Sequence, residues 1–299
     1  MTLRLLAVHA HPDDESSKGA ATYAYYRDRG ADVLVVSCTG GEQGSILNDK
    51  LEARAHAERD IAGLRVHEMA AAQKAMGVDH LWLGYADSGL PAEGEPVALN
   101  GFATIPLETS AEPLVAIIRR FKPHVLVTYD ENGGYPHPDH IRTHEVSMEA
   151  YRAAADPSRY PETGEPWQID KVYYDRILNA ARIRAMLAYV EEHDPESPLA
   201  ERLGEMLEWM GSRPDLATTH VAVSDFFPAR DDALRAHASQ VPLDSFFFFW
   251  PNELQAAAWP TEDFQLVESH VDSPTPETDL FAGIVDDEPS AAGAGGETR

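Results

Sequence analysis

Apolar runs of strand length alternate with helical stretches through the first half of the chain, and each run stops at a polar turn. That alternation leaves few folds open. Leu3 to Val8, broken only by Arg4, ends at His9-Ala10-His11-Pro12 and reads as a buried strand. A helix is expected over Ser17 to Arg29, closed by Gly30, and a second strand over Ala31 to Thr39. Leu51 to Met76 reads as a long Ala-rich helix ending at Gly77, and His80 to Tyr85 as a third strand. Glu112 to Phe121 continues as helix, Pro123 stops it, and His124 to Tyr129 forms a fourth strand ending on Asp130. Strands separated by helices are joined by right-handed crossovers and lie parallel, with helices on both faces. The expected fold is therefore α/β, a Rossmann-like parallel sheet.

Beyond Tyr160 the alternation weakens. Lys171 to Leu178 and Thr218 to Val223 look like strands, and Ala180 to His193 and Leu199 to Met210 look helical. We read residues 1–160 as the catalytic core and residues 161–272 as an α+β cap completing the same domain. From Ser273 the composition is Pro, Asp, Glu, Gly and Ala, so residues 273–299 are expected to be an acidic, mostly disordered tail, apart from the apolar patch Leu280 to Ile284.

The 299 residues suffice for a full core, and their net charge of −26 repels phosphate backbones and anionic headgroups. A small-molecule partner is expected, with neither nucleic acid nor membrane. The lone cysteine, Cys38, excludes intramolecular disulfides and any multi-cysteine metal site, and its apolar surroundings read as a buried strand. No charged segment leads into an apolar leader near the start, and no apolar run approaches the roughly 18 residues of a membrane span, so a cytoplasmic location is expected.

In open parallel sheets, ligands gather beyond the carboxyl ends of the strands. Two His/Asp clusters fall there: His11-Pro12-Asp13-Asp14 after the first strand and His137-Pro138-Asp139-His140 after the fourth. The first brings one imidazole and two carboxylates to a tight turn, and adjacent residues point apart, so Asp13 and Asp14 can take separate tasks. Catalytic zinc sites keep three protein ligands and one open position, which two imidazoles and a carboxylate would satisfy. His137, His140 and His144 all offer the second imidazole, and spacing alone does not choose among them. An isolated histidine is more often a cap or surface residue, and Asp-Asp at a helix start is a routine capping signal. Two such clusters on one sheet edge favour the metal reading, with one divalent ion per chain, zinc or Fe(II).

Ala10-His-Pro-Asp-Asp-Glu15 together with Gly133-Gly-Tyr-Pro-His-Pro-Asp-His140 resembles the LmbE-like (PIG-L) deacetylase family, whose members cleave an amide on a glucosamine-type amine. Asp14-Glu-Ser-Ser-Lys-Gly19, Thr39-Gly-Gly-Glu-Gln-Gly-Ser-Ile-Leu-Asn48, Asp87-Ser-Gly-Leu-Pro91 and Ala236-His-Ala-Ser-Gln240 are similar to the branch that acts on mycothiol S-conjugates. The resemblance implies His11, Asp14 and His140 as metal ligands and Asp13 as general base. It further implies His137 as the group that stabilises the oxyanion or protonates the leaving amine, Asp139 as the residue orienting it, and Tyr135 as an oxyanion donor. His9 and His144 are left to packing. Lys18, Arg65 and Asp87 are implied as substrate-facing, Lys18 because deacetylases of mycothiol biosynthesis carry Ser there. The implied reaction is hydrolysis of the amide between an S-substituted N-acetylcysteinyl group and glucosaminyl-inositol. Deacetylation of N-acetylglucosaminyl-inositol is the alternative within enzymes, and a non-catalytic sugar-binding module the alternative outside them.

Overall fold

The computed structural model describes residues 2–52, 54–92, 94–211 and 214–284. Its centre is a seven-stranded sheet in the order β3-β2-β1-β4-β5-β7-β6. β1 (Arg4–His9), β2 (Asp32–Thr39), β3 (Asp79–Tyr85), β4 (Val125–Thr128) and β5 (Lys171–Asp175) run parallel. β7 (Thr261–Ser269) lies antiparallel between β5 and β6 (Thr219–Ala222). The expected α/β class and parallel order are borne out. β7 has no counterpart in the expectation, and with it the C-terminal part of the chain extends the same sheet.

The helices are α1 (Asp14–Ser17), α2 (Ala20–Asp28), α3 (Arg54–Ala57), α4 (Ile61–Met76), α5 (Leu107–Phe121), α6 (Pro138–Ala155), α7 (Ala180–His193), α8 (Leu199–Met210), α9 (Phe227–Ala236) and α10 (Asn252–Ala258). The helix expected over Ser17 to Arg29 is thus two, α1 and α2, parted at Lys18 and Gly19. The one expected over Leu51 to Met76 is also two, α3 and α4; Asp60 caps the second by accepting from Gly63 N at 2.9 Å.

Alternation along the strands sends Leu5, Ala7, Val33, Val35, Val125 and Val127 to one face, against α2, α4 and α9. Leu6, Val8, Leu34, Val36 and Leu126 go to the other, against α5 and α6. Each such buried aliphatic side chain contributes ~1.5–3 kcal/mol. The two cores explain why these strands read as unbroken apolar runs. A third cluster joins α7, α8 and Trp250.

Residues 273–284 are packed against the sheet. Glu277 is the anchor: its carboxylate pairs with the buried Lys171, accepts from Tyr173 Oη at 2.7 Å and from Thr219 Oγ1 at 2.8 Å, and its backbone bridges to Thr218 and His220. Leu280 and Phe281 complete the first core. The remainder of the expected tail lies outside the described residues.

Chain order reverses between β1 and β4: β2 and β3 extend the sheet one way and β5 the other. Such a switch point opens a crevice beyond the strand ends. Both His/Asp clusters lie in it.

Candidate active site

β1 delivers His11, and α1 starts three residues on, its N-cap Asp13 held at φ 110°. A non-glycine residue there is strained, and the turn is fixed from within by His11 N donating to Asp14 Oδ2 at 3.0 Å. β4 ends at Thr128, and α6 opens with Pro138 at its first turn. Its first turn carries Asp139 and His140, both fully buried.

The gathered donors are His11 Nδ1, Asp14 Oδ2 and His140 Nε2. Asp14 Oδ2 lies 3.6 Å from His11 Nδ1 and 3.3 Å from His140 Nε2. Ligand atoms around a tetrahedral zinc stand roughly 3.3 Å apart, so the spacing fits. The chemistry fits as well. His140 Nδ1 lies 2.9 Å from the Gly133 carbonyl, which fixes Nδ1 as the protonated nitrogen, and Nε2, buried, has no hydrogen-bond partner among the described residues. Gly133 is held at φ 70°, and a Cβ there would sit 2.5 Å from His140 Cβ. His11 Nε2 points away, 3.4 Å from Asp139 Oδ2, so a carboxylate backs this imidazole too. These three residues could hold one divalent ion, and His144, whose Nδ1 lies 3.0 Å from the Tyr129 carbonyl, is turned elsewhere. His11, His137 and Asp139 form a second possible ligand group.

The expected link from Asp139 to His137 is corrected. Asp139 Oδ2 faces His11 and accepts from Ser88 N at 2.9 Å; what reaches His137 is the Asp139 backbone, whose N–H donates to His137 Nδ1 at 3.1 Å. His137 is the N-cap of α6, so its Nδ1 faces the helix's own first amides. With Nδ1 accepting, a neutral His137 carries its proton on Nε2. Burial, and repulsion from His11 and His140, bring its pKa down to about 4. In its neutral form the ring therefore offers Nε2–H as a donor. His11 differs: against the cost of burial, Asp139, Asp14 and Asp87 hold its pKa well above the ordinary value. Tyr135, half exposed, has its ring 4.4 Å from that of His140 and stands at the mouth.

Asp13 is the more open carboxylate, its side chain 27% exposed against 6% for Asp14. Arg65 was expected to face substrate and does not. Its side chain is buried and donates to the carbonyls of Gly41, at 2.9 Å, and Pro12, and to Asp13 Oδ2 at 3.0 Å. A side chain at Gly41, φ 66°, would collide with that guanidinium. Arg65 thus positions Asp13. Burial raises the Asp13 pKa although Arg65 opposes it.

Two residues without a role in the sequence reading lie behind Asp13. Glu15 Oε2 accepts from Asp13 N at 2.9 Å, and Glu15 Oε1 lies 2.8 Å from His237 Nε2, both side chains fully buried. His237 follows α9, so the last third of the chain braces the turn. Both stood inside quoted motifs, and their spacing of more than 200 residues gave no sign of contact. The end of β5 also brings Asp175 to this edge. Its pKa is raised to about 7 by burial, against the pull of Lys18. The strand-end rule would have found it had the expected strand not run on through Leu178.

Lys18 and Asp87 also face inward. Lys18 Nζ pairs with Asp14 Oδ1, which corrects its expected turn toward substrate. Asp87, expected to face substrate, accepts from Gln43 N at 3.0 Å and Gly89 N at 2.8 Å and lies 3.7 Å from His11 Nε2. It holds its own turn and supports His11. His9 is buried between the hydroxyls of Tyr23, at 3.0 Å, and Tyr129, at 3.3 Å, with its pKa lowered to about 4 by burial.

The family model described as PIG-L, GlcNAc-PI de-N-acetylase, matches residues 6–151. Mycothiol S-conjugate amidase of Streptomyces coelicolor is 50% identical over 289 residues, 95% of this chain and 98% of that protein. The chain belongs to the PIG-L family. A second relative, 1D-myo-inositol 2-acetamido-2-deoxy-alpha-D-glucopyranoside deacetylase of Streptomyces avermitilis, is 40% identical over 94% of this chain and 97% of its own. Among solved structures, N,N'-diacetylchitobiose deacetylase from Pyrococcus horikoshii matches with a TM-score of 0.59 at 18% identity, over 88% of this chain and 83% of that one. That likeness is one of fold. Membership of the PIG-L family bears out the resemblance read from the motifs, and no helix among the described residues is long and apolar enough to cross a membrane.

Proposed function

We propose that the chain is a metal-dependent amidohydrolase that cleaves the amide between an S-substituted N-acetylcysteinyl group and glucosaminyl-inositol. The observation that carries this reading is the 50% identity with an S-conjugate amidase along nearly the whole of both chains. Deacetylation of N-acetylglucosaminyl-inositol is the second reading, favoured by the 40% identity with the inositol deacetylase.

His11, Asp14 and His140 hold the metal in this proposal, as the 3.3 and 3.6 Å donor spacings and the unpartnered His140 Nε2 support. Two imidazoles and a carboxylate suit zinc and also admit Fe(II). When bound, the ion supplies Lewis acidity that polarises the amide carbonyl and acidifies water. Asp13 takes the proton from the attacking water, a task suited to a carboxylate that is open to the crevice and kept in place by Arg65. Neutral His137, through Nε2–H, and Tyr135, through its hydroxyl, donate to the developing oxyanion, each donor worth ~3 kcal/mol. Asp139 keeps His11 oriented.

The test is mass spectrometry of the products after the metal-loaded protein meets an S-alkylated mycothiol conjugate and, separately, N-acetylglucosaminyl-inositol. A mercapturic acid formed at a higher kcat/KM than acetate supports the amidase reading. Acetate alone would sink it in favour of the deacetylase.

A further inference from the structure

Asp175, the last residue of β5, is a partly buried carboxylate whose two neighbouring cations are both engaged elsewhere. Arg176 pairs with Asp130 at 2.6 Å, and Lys18 pairs with Asp14, so among the described residues no ion pair reaches Asp175. A carboxylate drawn from water without a donor is costly, and its place at the crevice points to a donor that arrives.

The strand register shows which donor that is. Thr128 of β4 lies beside Tyr174 of β5, so one step on, Tyr129 and Asp175 stand side by side at the carboxyl edge of the sheet. Alternation sends both side chains to the face of Tyr23, since Val127 and Tyr173, two residues before them, pack in the first core. Lys18 stands on that same face: its Nζ lies 5.6 Å from the centre of the Tyr129 ring, and its carbonyl accepts from Tyr23 Oη at 3.3 Å. After Asp14, Asp175 is the carboxylate that acts most strongly on the Lys18 ammonium. Lys18 thus has two acceptors beside it and touches one.

The metal residues bear on that choice. Asp14 divides its oxygens: Oδ2 faces His11 at 3.6 Å and His140 at 3.3 Å, whereas Oδ1 takes the Lys18 ammonium. A divalent ion on one oxygen and an ammonium on the other repel at close range, and in a buried site solvent screens them little. Lys18 is 19% exposed and carries its charge on a flexible four-carbon stem, so it can turn without moving the backbone.

We propose that Asp175 is a positioning residue for the metal centre: it is the second acceptor of Lys18, and it draws the ammonium off Asp14 when a divalent ion occupies His11, Asp14 and His140. The inference rests on the reading of Asp14 as a ligand. Lys18 competes with the ion for that carboxylate, and Asp175 relieves the competition.

The experiment titrates zinc into metal-stripped wild type, Lys18→Met, Asp175→Asn and the double variant near pH 8, by calorimetry, with circular dichroism to confirm each fold. Lys18→Met is expected to tighten zinc about tenfold, because the competing charge is gone, and Asp175→Asn to weaken it about tenfold, each on the scale of one charge-assisted hydrogen bond. In the Lys18→Met background the same Asp175→Asn change is expected to matter less than about threefold. A crystal structure of zinc-loaded wild type, which needs no variant, is expected to show Lys18 Nζ on the Asp175 carboxylate. Equal weakening by Asp175→Asn in both backgrounds would mean that the carboxylate attracts the ion by its own charge, and overturns the exchange. So do a Lys18→Met variant that binds zinc no tighter and a zinc-loaded structure with Lys18 still on Asp14. Zinc binding that survives Asp14→Ala unchanged overturns the ligand reading itself.

Discussion

Replacing His237 by Ala is expected to cost about 3 kcal/mol of stability, although His237 lies on the far side of the turn from the metal residues. His237 Nε2 and Glu15 Oε1 are 2.8 Å apart and neither side chain is exposed. Against the cost of burial, His237, aided by Ser16 and the Asp13 amide, holds the Glu15 carboxyl at about 2 rather than 4.5, and at 1.36 kcal/mol per pKa unit the set together corresponds to ~3 kcal/mol. Breaking a buried pair by removing one partner costs a similar ~3–5 kcal/mol. The variant leaves Glu15 with Ser16 Oγ, at 2.5 Å, and Asp13 N as donors, which favours the lower end. The sign against pH follows from both partners. The Glu15 contribution is present above 4.5 and is lost as pH falls toward 2. The His237 pKa is raised, against burial, chiefly by Glu15, so its contribution is present below about 6.5 and is lost as pH climbs through the raised value. The difference between wild type and variant is therefore largest near pH 5–6. Urea unfolding of metal-stripped protein measures it, with Glu15→Gln and the double variant closing a thermodynamic cycle, and Tm should drop by roughly 6–12 °C. A cost below about 1 kcal/mol, or no coupling in the cycle, would refute the pairing.

Asp13→Ala is expected to abolish turnover with metal content near wild type, whereas Asp14→Ala and His140→Ala lose both; metal analysis finding Asp13→Ala empty and Asp14→Ala full would reverse the two roles. His137→Ala should lower kcat by about 10²–10³-fold with metal retained, the scale of one lost oxyanion donor. Loss of metal in that variant would instead put the ion at the group His11, His137 and Asp139. Arg65→Met should lower kcat while the metal stays bound, because the guanidinium touches Asp13 and none of the three ligands; a rise in KM at constant kcat would return Arg65 to the substrate.

What the sequence conveys depends on whether a residue's partner is apolar packing or another polar group. β1, β2 and β4 were legible because both of their faces are buried in apolar cores, so their composition states their environment. β7 is likewise paired on both edges and buried over Glu262–Phe264, yet it carries Glu262, Asp263, Gln265 and Glu268. Its charges are matched across the chain: Glu262 accepts from Thr22 N at 2.8 Å and Thr22 Oγ1 at 2.7 Å, and Asp263 is met by Asn179, Trp259 and His220. Apart from Trp259, four residues away, these partners lie 43 to 240 residues off, and no local pattern announces them. The site divides in the same way. Strand-end placement brings His11, Asp14 and His140 together, since the fold carries whole turns to one edge. The direction of each side chain is another matter, decided by which neighbour lacks a partner. Asp139 turned to His11 because His137 already had the Asp139 amide. Arg65 turned to Asp13 because two backbone carbonyls and a strained turn needed a buried donor beside them. Identifying a charged residue near a catalytic turn therefore leaves open whether it meets the substrate or the residue that does, and here Lys18, Arg65 and Asp87 all do the second.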